Sequence, residues 1–314
     1  MRLVLAKPAR LSWLLLAAMA LAALLFQWNA RLGISPGSAG LPLLLCLTLA
    51  SSARLARPCG AARVEAAASA FLQMTLFTLL GLFLSYAITA RAGPLWDAQL
   101  SAADRALGLD WPMLRGVLDK VPPAVWVLGI AYHSLIAQMV VVIVGLAALG
   151  RFDALRLIVC AAIGAGFACI LVSALVPASG NAFDPDAYHH LWPPVARLHA
   201  DIVTGLRTST LHTLDLTRMM GIVTFPSFHA ALALIFIWSF RRIPRLAAAG
   251  SAWAALTIVA TPVFGGHYAV DVIAGLVIGA GSLAGASRLF SAPAAQATLQ
   301  VSHSRPPFQT AFEP

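Results

Sequence analysis

AAASAFLQMTLFTLLGLFLSYAITA, residues Ala66 to Ala90, carries no charged side chain over its whole length. A helix needs roughly 20 apolar residues to cross the hydrocarbon core of a bilayer, so this stretch reads as a transmembrane helix. The rest of the chain repeats the pattern. Of 314 residues, 60% are hydrophobic and only 11% charged, against about 25% charged in a soluble domain. The mean hydropathy of +0.84 agrees. By the same length test the chain holds eight apolar segments, at about 11–28, 39–55, 66–90, 124–149, 155–176, 226–240, 246–263 and 267–286. The sixth and eighth are short for full spans. The expected fold is all-α, a polytopic membrane bundle of about eight helices.

The formal net charge of +9 does not point to nucleic acid, because the basic residues sit in short clusters between apolar runs. That is the pattern of the positive-inside rule. Arg2, Lys7 and Arg10 precede the first span; Arg54, Arg57 and Arg63 follow the second. Arg151 and Arg156, then Arg241, Arg242 and Arg245, then Arg288 mark every second connection after that. The alternate connections are poor in cations, as at Arg31, or balanced. In 91–123, Arg91, Arg105, Arg115 and Lys120 are offset by Asp97, Asp104, Asp110 and Asp119. Both termini are therefore expected in the cytoplasm, with the first span an uncleaved signal-anchor. The short loops favour a bacterial inner membrane. The four cysteines, Cys46, Cys59, Cys160 and Cys169, are scattered and read as free thiols, without disulfide or metal-ligand spacing.

Two motifs fall at the ends of late spans, on the extracytoplasmic side by this count: Phe225-Pro226-Ser227-Phe228-His229 and Gly265-Gly266-His267-Tyr268-Ala269-Val270-Asp271. Ionisable groups at such positions are costly and are functional-site candidates. His267 and Asp271, spaced i, i+4, can meet on one helix face. The carboxylate then accepts from one ring nitrogen and leaves the other as a nucleophile. Pro226 suits a first helical turn, which would aim backbone N–H groups and the Ser227 hydroxyl at an anion. His229, one turn in, can protonate a leaving oxygen. A self-satisfied His–Asp pair and an interfacial histidine are the plain alternatives; the two motifs sharing one side of the membrane argues against them.

Two long segments, 91–123 and 177–225, lie on that same outer side. The first reads as short interfacial helices with Trp96 and Trp111 as anchors. The second is a candidate lid or binding loop. His133 is a core histidine or a cavity residue. His189, His190, His199 and His212 read as loop residues, with no ligand spacing. The residues after about 291 read as a disordered tail.

Phe225-Pro226-Ser227-Phe228-His229-Ala230, followed by His267-Tyr268 with Asp271 and Gly275, resembles the type 2 phosphatidic acid phosphatase superfamily. Within it, the sequence is most similar to the inositolphosphotransferase branch, which includes inositol phosphorylceramide synthases. The resemblance implies a six-helix core over about 67–290, after an N-terminal transmembrane hairpin at 1–66 and before a tail at 291–314. It implies His267 as nucleophile, Asp271 as its orienting partner and His229 as acid. It also implies reaction on phosphate esters, usually of lipids, without metal or other cofactor.

The chain departs from that family in three places. The Lys and Arg-Pro first motif is absent, Ala260-Thr261 stands where Ser-Arg is usual, and Phe228 replaces the glycine of Pro-Ser-Gly-His. The cationic phosphate ligands are thereby unassigned, and a phosphate site wants fixed arginine donors. Arg207 is the first candidate and Arg218 the second, beside Ser227; both are equally readable as solvated loop arginines. The expected function is hydrolysis of a lipid phosphate or diphosphate through a phosphohistidine, with transfer to a lipid hydroxyl as the alternative. The expected partners are the substrate lipid and the bilayer, with neither nucleic acid nor a protein partner in evidence. A transporter and a catalytically dead binding protein are the other classes, disfavoured by the absence of an internal repeat and by the intact His229, His267 and Asp271.

Overall fold

Each of the eight apolar segments is helical in the computed structural model, which describes residues 7–30 and 32–302. Helices α1 (Lys7–Ala30), α2 (Gly40–Ala56) and α3 (Ala62–Thr89) come first. Two short helices follow, α4 (Asp97–Ala106) and α5 (Trp111–Asp119). Next come α6 (Pro122–His133), α7 (Leu135–Ala148) and α8 (Phe152–Ser173). The long outer segment holds only α9 (Val195–Leu198) and α10 (Ala200–Arg207). The last three are α11 (Phe228–Phe240), α12 (Ala247–Ala260) and α13 (Ala269–Ser302). Among the described residues, five helices are long and apolar enough to cross a membrane, or six with α6 and α7 taken as one span. The expected all-α membrane bundle is what the chain forms.

The core is built on α8, where Ile163 and Ala165 are fully buried between neighbouring helices. It packs against α3, α11 and α13. The alanines and glycines of these helices let the backbones approach closely, as membrane helices require in the absence of a hydrophobic drive between them. α1 belongs to the same core, with Met19 fully buried and α1 packed on α3 and α8. α2 instead rests mainly on α3 and leaves Leu41, Leu44 and Leu47 more than 60% exposed, a face suited to lipid.

Three places differ from the sequence reading. The segment expected as one span over 124–149 is bent by 56° between α6 and α7. At the break, the Ser134 hydroxyl donates to the Ala131 carbonyl (2.8 Å) and accepts from Trp253 Nε1 (2.9 Å) and Gln138 Nε2 (3.1 Å). Thr257 donates to the same Ala131 carbonyl at 2.9 Å. A side chain inserted into the helical ladder is a standard cause of a kink. Second, Pro226 lies before α11 rather than in its first turn, and Ser227 is the N-cap. Third, α13 runs to Ser302, past the expected start of a tail at 291; residues 303–314 lie outside the described residues.

One end of the bundle collects the outer segments. A two-residue strand β1 (Gly33–Ile34), after α1, pairs in parallel with β2 (Thr213–Leu214). The α1–α2 connection and the 177–225 segment therefore meet at the same end as the two motifs.

Candidate active site

Ser227 opens the site. Its side chain accepts from Ala230 N–H at 3.4 Å, and its own N–H donates to the Asp271 carbonyl at 3.0 Å. That second bond joins the start of α11 to the start of α13. The two helices touch at Gly275, where an added Cβ would lie 2.1 Å from the Ser227 carbonyl. Only glycine permits that approach.

His267 sits between a π turn (Thr261–Gly265), which extends α12, and the first residue of α13. Single π turns are frequent at functional sites. Gly266 follows in the left-handed region (φ 72°), as a helix-terminating glycine does. Its carbonyl accepts from Asn181 N–H at 2.6 Å, and a Cβ there would meet Ala196 at 2.5 Å.

His267 therefore precedes the helix, yet its pairing with Asp271 survives. Nδ1 lies 3.4 Å from Asp271 Oδ2, and both side chains are buried. The same Oδ2 accepts from Tyr268 N–H at 2.9 Å, a reciprocal cap of the first turn. Nε2 faces the other way, 3.4 Å from Ser227 Oγ. Contacts this long are common in catalytic pairs that tighten on substrate. With Asp271 ionised and accepting from Nδ1–H, the lone pair falls on Nε2; the ring is also hydrogen-bonded to the backbone of Thr224. His229 stands opposite, its ring centroid 6.3 Å from that of His267 and stacked on Tyr132 at 4.7 Å.

His267, His229 and Tyr132 line one cavity of about 410 Å³, with Ser227 and Asp271 buried behind them. Its polar end carries His229, His267, Tyr132 and Thr224. From there it runs between helices past Phe77, Met74, Met139 and Leu232. Phe228, where the family motif has glycine, packs on Phe77 at 5.4 Å between centroids and lines the wall. His133 ends α6 and also lines the cavity.

The structure brings Ser227, His229, His267 and Asp271 together. It does not bring Arg207 or Arg218 to them. Arg207 donates to the carbonyls of Gly93 (2.9 Å) and Ala92 (3.4 Å), pinning α10 to the end of α3. Arg218 pairs with its neighbour Asp215 at 3.6 Å, with 87% of its side chain exposed. Among the described residues, none that lines the cavity is Lys or Arg.

Three aspartates of the 91–123 segment hold this arrangement, and sequence reasoning counted them only as charge balance. Asp104, fully buried, accepts from Ala269 N–H (2.8 Å), Val270 N–H (3.1 Å) and Trp111 Nε1 (2.6 Å). Asp97 accepts from the N–H groups of Ser179 and Gly180 and from the Tyr268 hydroxyl. Asp119 accepts from three successive N–H groups, His189 to Leu191. A carboxylate taking several backbone N–H groups is a strong fixed point. Spacing alone cannot reveal such pairings, since the backbone partners lie 70 to 166 residues away.

A bundle of membrane helices that brings a histidine, a His–Asp pair and a helix N-cap together beside one cavity defines a class, the membrane-embedded sites with paired histidines. A family model of the PAP2 superfamily (the type 2 phosphatidic acid phosphatases) matches residues 98–285, more than half of the chain. The chain belongs to that superfamily, whose activity is of the phosphatase type on phosphate esters. No curated protein and no solved structure is significantly similar to it.

Proposed function

We propose that this protein is an integral-membrane hydrolase of a lipid phosphate or diphosphate, acting through a phosphohistidine and without a metal. The observation that carries the proposal is the facing pair, His229 and His267, at one end of a cavity whose other end is apolar. One phosphoryl group can touch both rings while the lipid part occupies the chamber beyond. Pockets that are mostly apolar with a few convergent polar groups are the usual form of a ligand site.

His267 Nε2 attacks phosphorus, forming the N–P bond as the bond to the leaving oxygen breaks. His229 gives its proton to that oxygen. Asp271 holds the Nδ1 proton and stabilises the positive ring that results. Backbone N–H groups in the first turn of α11 and the Ser227 hydroxyl meet the phosphoryl oxygens. Water then attacks phosphorus, giving its proton to His229 and releasing His267. A lipid hydroxyl in place of water makes the same second step a transfer. Phe228 and the missing Lys/Arg-Pro motif support this second reading, in which the chain falls in the inositolphosphotransferase branch. By the distribution of basic residues, the termini are cytoplasmic and the site opens to the periplasm.

The test is release of inorganic phosphate by the detergent-purified protein from phosphatidic acid and undecaprenyl diphosphate, in chelator, beside His267→Ala. Metal-independent release lost in the variant supports the reading, whereas a phosphorylated lipid alcohol formed in place of inorganic phosphate when that alcohol is added converts it to transfer. Equal activity in variant and parent overturns it.

A further inference from the structure

His199 lies in the outer segment, at the break between α9 and α10, far in sequence from either motif. It looks like one of four unremarked loop histidines. The fold places it otherwise. Its side chain is 4% exposed, and it lines the same cavity as His229 and His267. Its Nδ1 is buried and takes no hydrogen bond among the described residues. A buried polar atom without a partner costs about 1–3 kcal/mol, so its retention calls for an occupant that supplies the missing bond.

The position is built. α9 packs on the π turn before His267, and Ala196 fills the space that glycine leaves at Gly266. The His199 carbonyl accepts from Val203 N–H at 2.9 Å and starts α10. The ring is thus held from the same turn that carries the nucleophile. The other ionisable groups around the cavity are His267 from that turn, His229 from α11, His133 and Tyr132 from α6, and the Cys169 thiol from α8; among the described residues no carboxylate and no Lys or Arg joins them.

We infer that His199 is the ligand of a phosphoryl oxygen of the substrate, standing where an arginine would otherwise be required. The inference rests on the phosphoryl-transfer reading above and names one of the site's missing anion donors. Burial, and after it the nearness of His267, push His199 down to about 4, so the ring is neutral in the free protein at pH 7. A phosphoryl dianion beside it favours the charged form. The anion thus draws in a proton and gains a charge-assisted hydrogen bond, the strong kind. A neutral histidine also spares the empty cavity a buried cation, which an arginine would impose.

The experiment measures binding of inorganic phosphate by calorimetry, on His267→Ala protein so that turnover plays no part, together with KM and kcat in the otherwise unaltered protein. His199→Phe is expected to weaken phosphate binding and raise KM about tenfold, the equivalent of one lost hydrogen bond of about 1.4 kcal/mol, with kcat changed far less. His199→Arg is expected to restore binding, which a merely structural role would not allow. Unchanged phosphate affinity in His199→Phe overturns the inference. So does equal weakening in the Phe, Gln and Arg variants in proportion to lost thermal stability. Full turnover by His267→Ala would instead overturn the phosphohistidine reading, a different result from a different measurement.

Discussion

Asp104 on α4 accepts the backbone N–H of Ala269 at 2.8 Å, capping a helix that begins 165 residues later. The first turn of α13 holds Asp271, so this bond fixes the carboxylate that orients His267. A short helix apart from the candidate spans therefore sets the geometry of a site inside the bundle. Replacing Asp104 by Ala would leave three half-buried donors without their acceptor, the two backbone N–H groups and Trp111 Nε1. We expect a loss of about 1–3 kcal/mol in stability, since half-buried donors recover part of the lost bonding from water. Activity should fall with it. Asp104→Asn, which keeps one acceptor oxygen, should lose less of both, as read by thermal unfolding in detergent and phosphate release.

The two histidines should separate by leaving group. His229→Ala is expected to lower turnover of an alkyl phosphate about 10²–10⁴-fold, the usual worth of a positioned general acid. With a nitrophenyl phosphate, whose leaving oxygen needs no proton, the same variant should lose much less. His267→Ala should lose both activities, because no N–P bond can form. An equal loss of the two substrates in His229→Ala would remove its role as acid.

Gly275→Ala tests the junction of α11 and α13. Its Cβ would lie 2.1 Å from the Ser227 carbonyl, so the helices must part. Overpacking of this kind costs about 1–3 kcal/mol, and the shift would separate Ser227 from Asp271. Gly281→Ala on the same helix meets nothing within 4 Å. It should keep activity and gain about 0.5–1 kcal/mol from the lower entropy of alanine in a helix. Comparable loss in both variants would refute the packing argument.

Acid should weaken the fold through His199. Its pKa in the folded chain is about 4, below the usual value of about 6.5 for the unfolded chain. Between those values the unfolded state binds the proton and the folded state does not, so stability rises with pH across the window. The contribution is fully present above pH 6.5 and is lost as pH falls towards 4. His199→Gln should flatten this part of the profile of unfolding temperature against pH. An unchanged slope would show that His199 is not the group responsible.

Membrane orientation is testable with a native thiol. Cys59 is exposed between α2 and α3, whereas Cys160 and Cys169 are buried. With the basic connections inside, an impermeant maleimide should spare Cys59 in intact cells and label it in inverted vesicles. Labelling in intact cells would reverse the orientation.

The sequence by itself determined the class of fold, because eight apolar runs without water to satisfy their backbones can only be helices in a membrane. It also marked His229, His267, Asp271 and Ser227, which the fold brings together, since they fall within two short motifs whose spacing is local. The bend at Ser134 was out of its reach. That bend depends on Trp253 and Thr257 of another helix, although a serine beside a histidine in an apolar run was the visible trace. The aspartates of the 91–123 segment were visible only as charge, because most of their partners are backbone groups that carry no residue identity. Arg207 and Arg218 had the right chemistry for phosphate, but tertiary contacts commit one to carbonyls and leave the other in solvent. His199 shows the converse. Nothing in its neighbours marks it, and only the packing of α9 on the turn before His267 carries it into the cavity. Local spacing can specify which side chains share a turn of helix, whereas which distant side chains share a cavity is decided by packing.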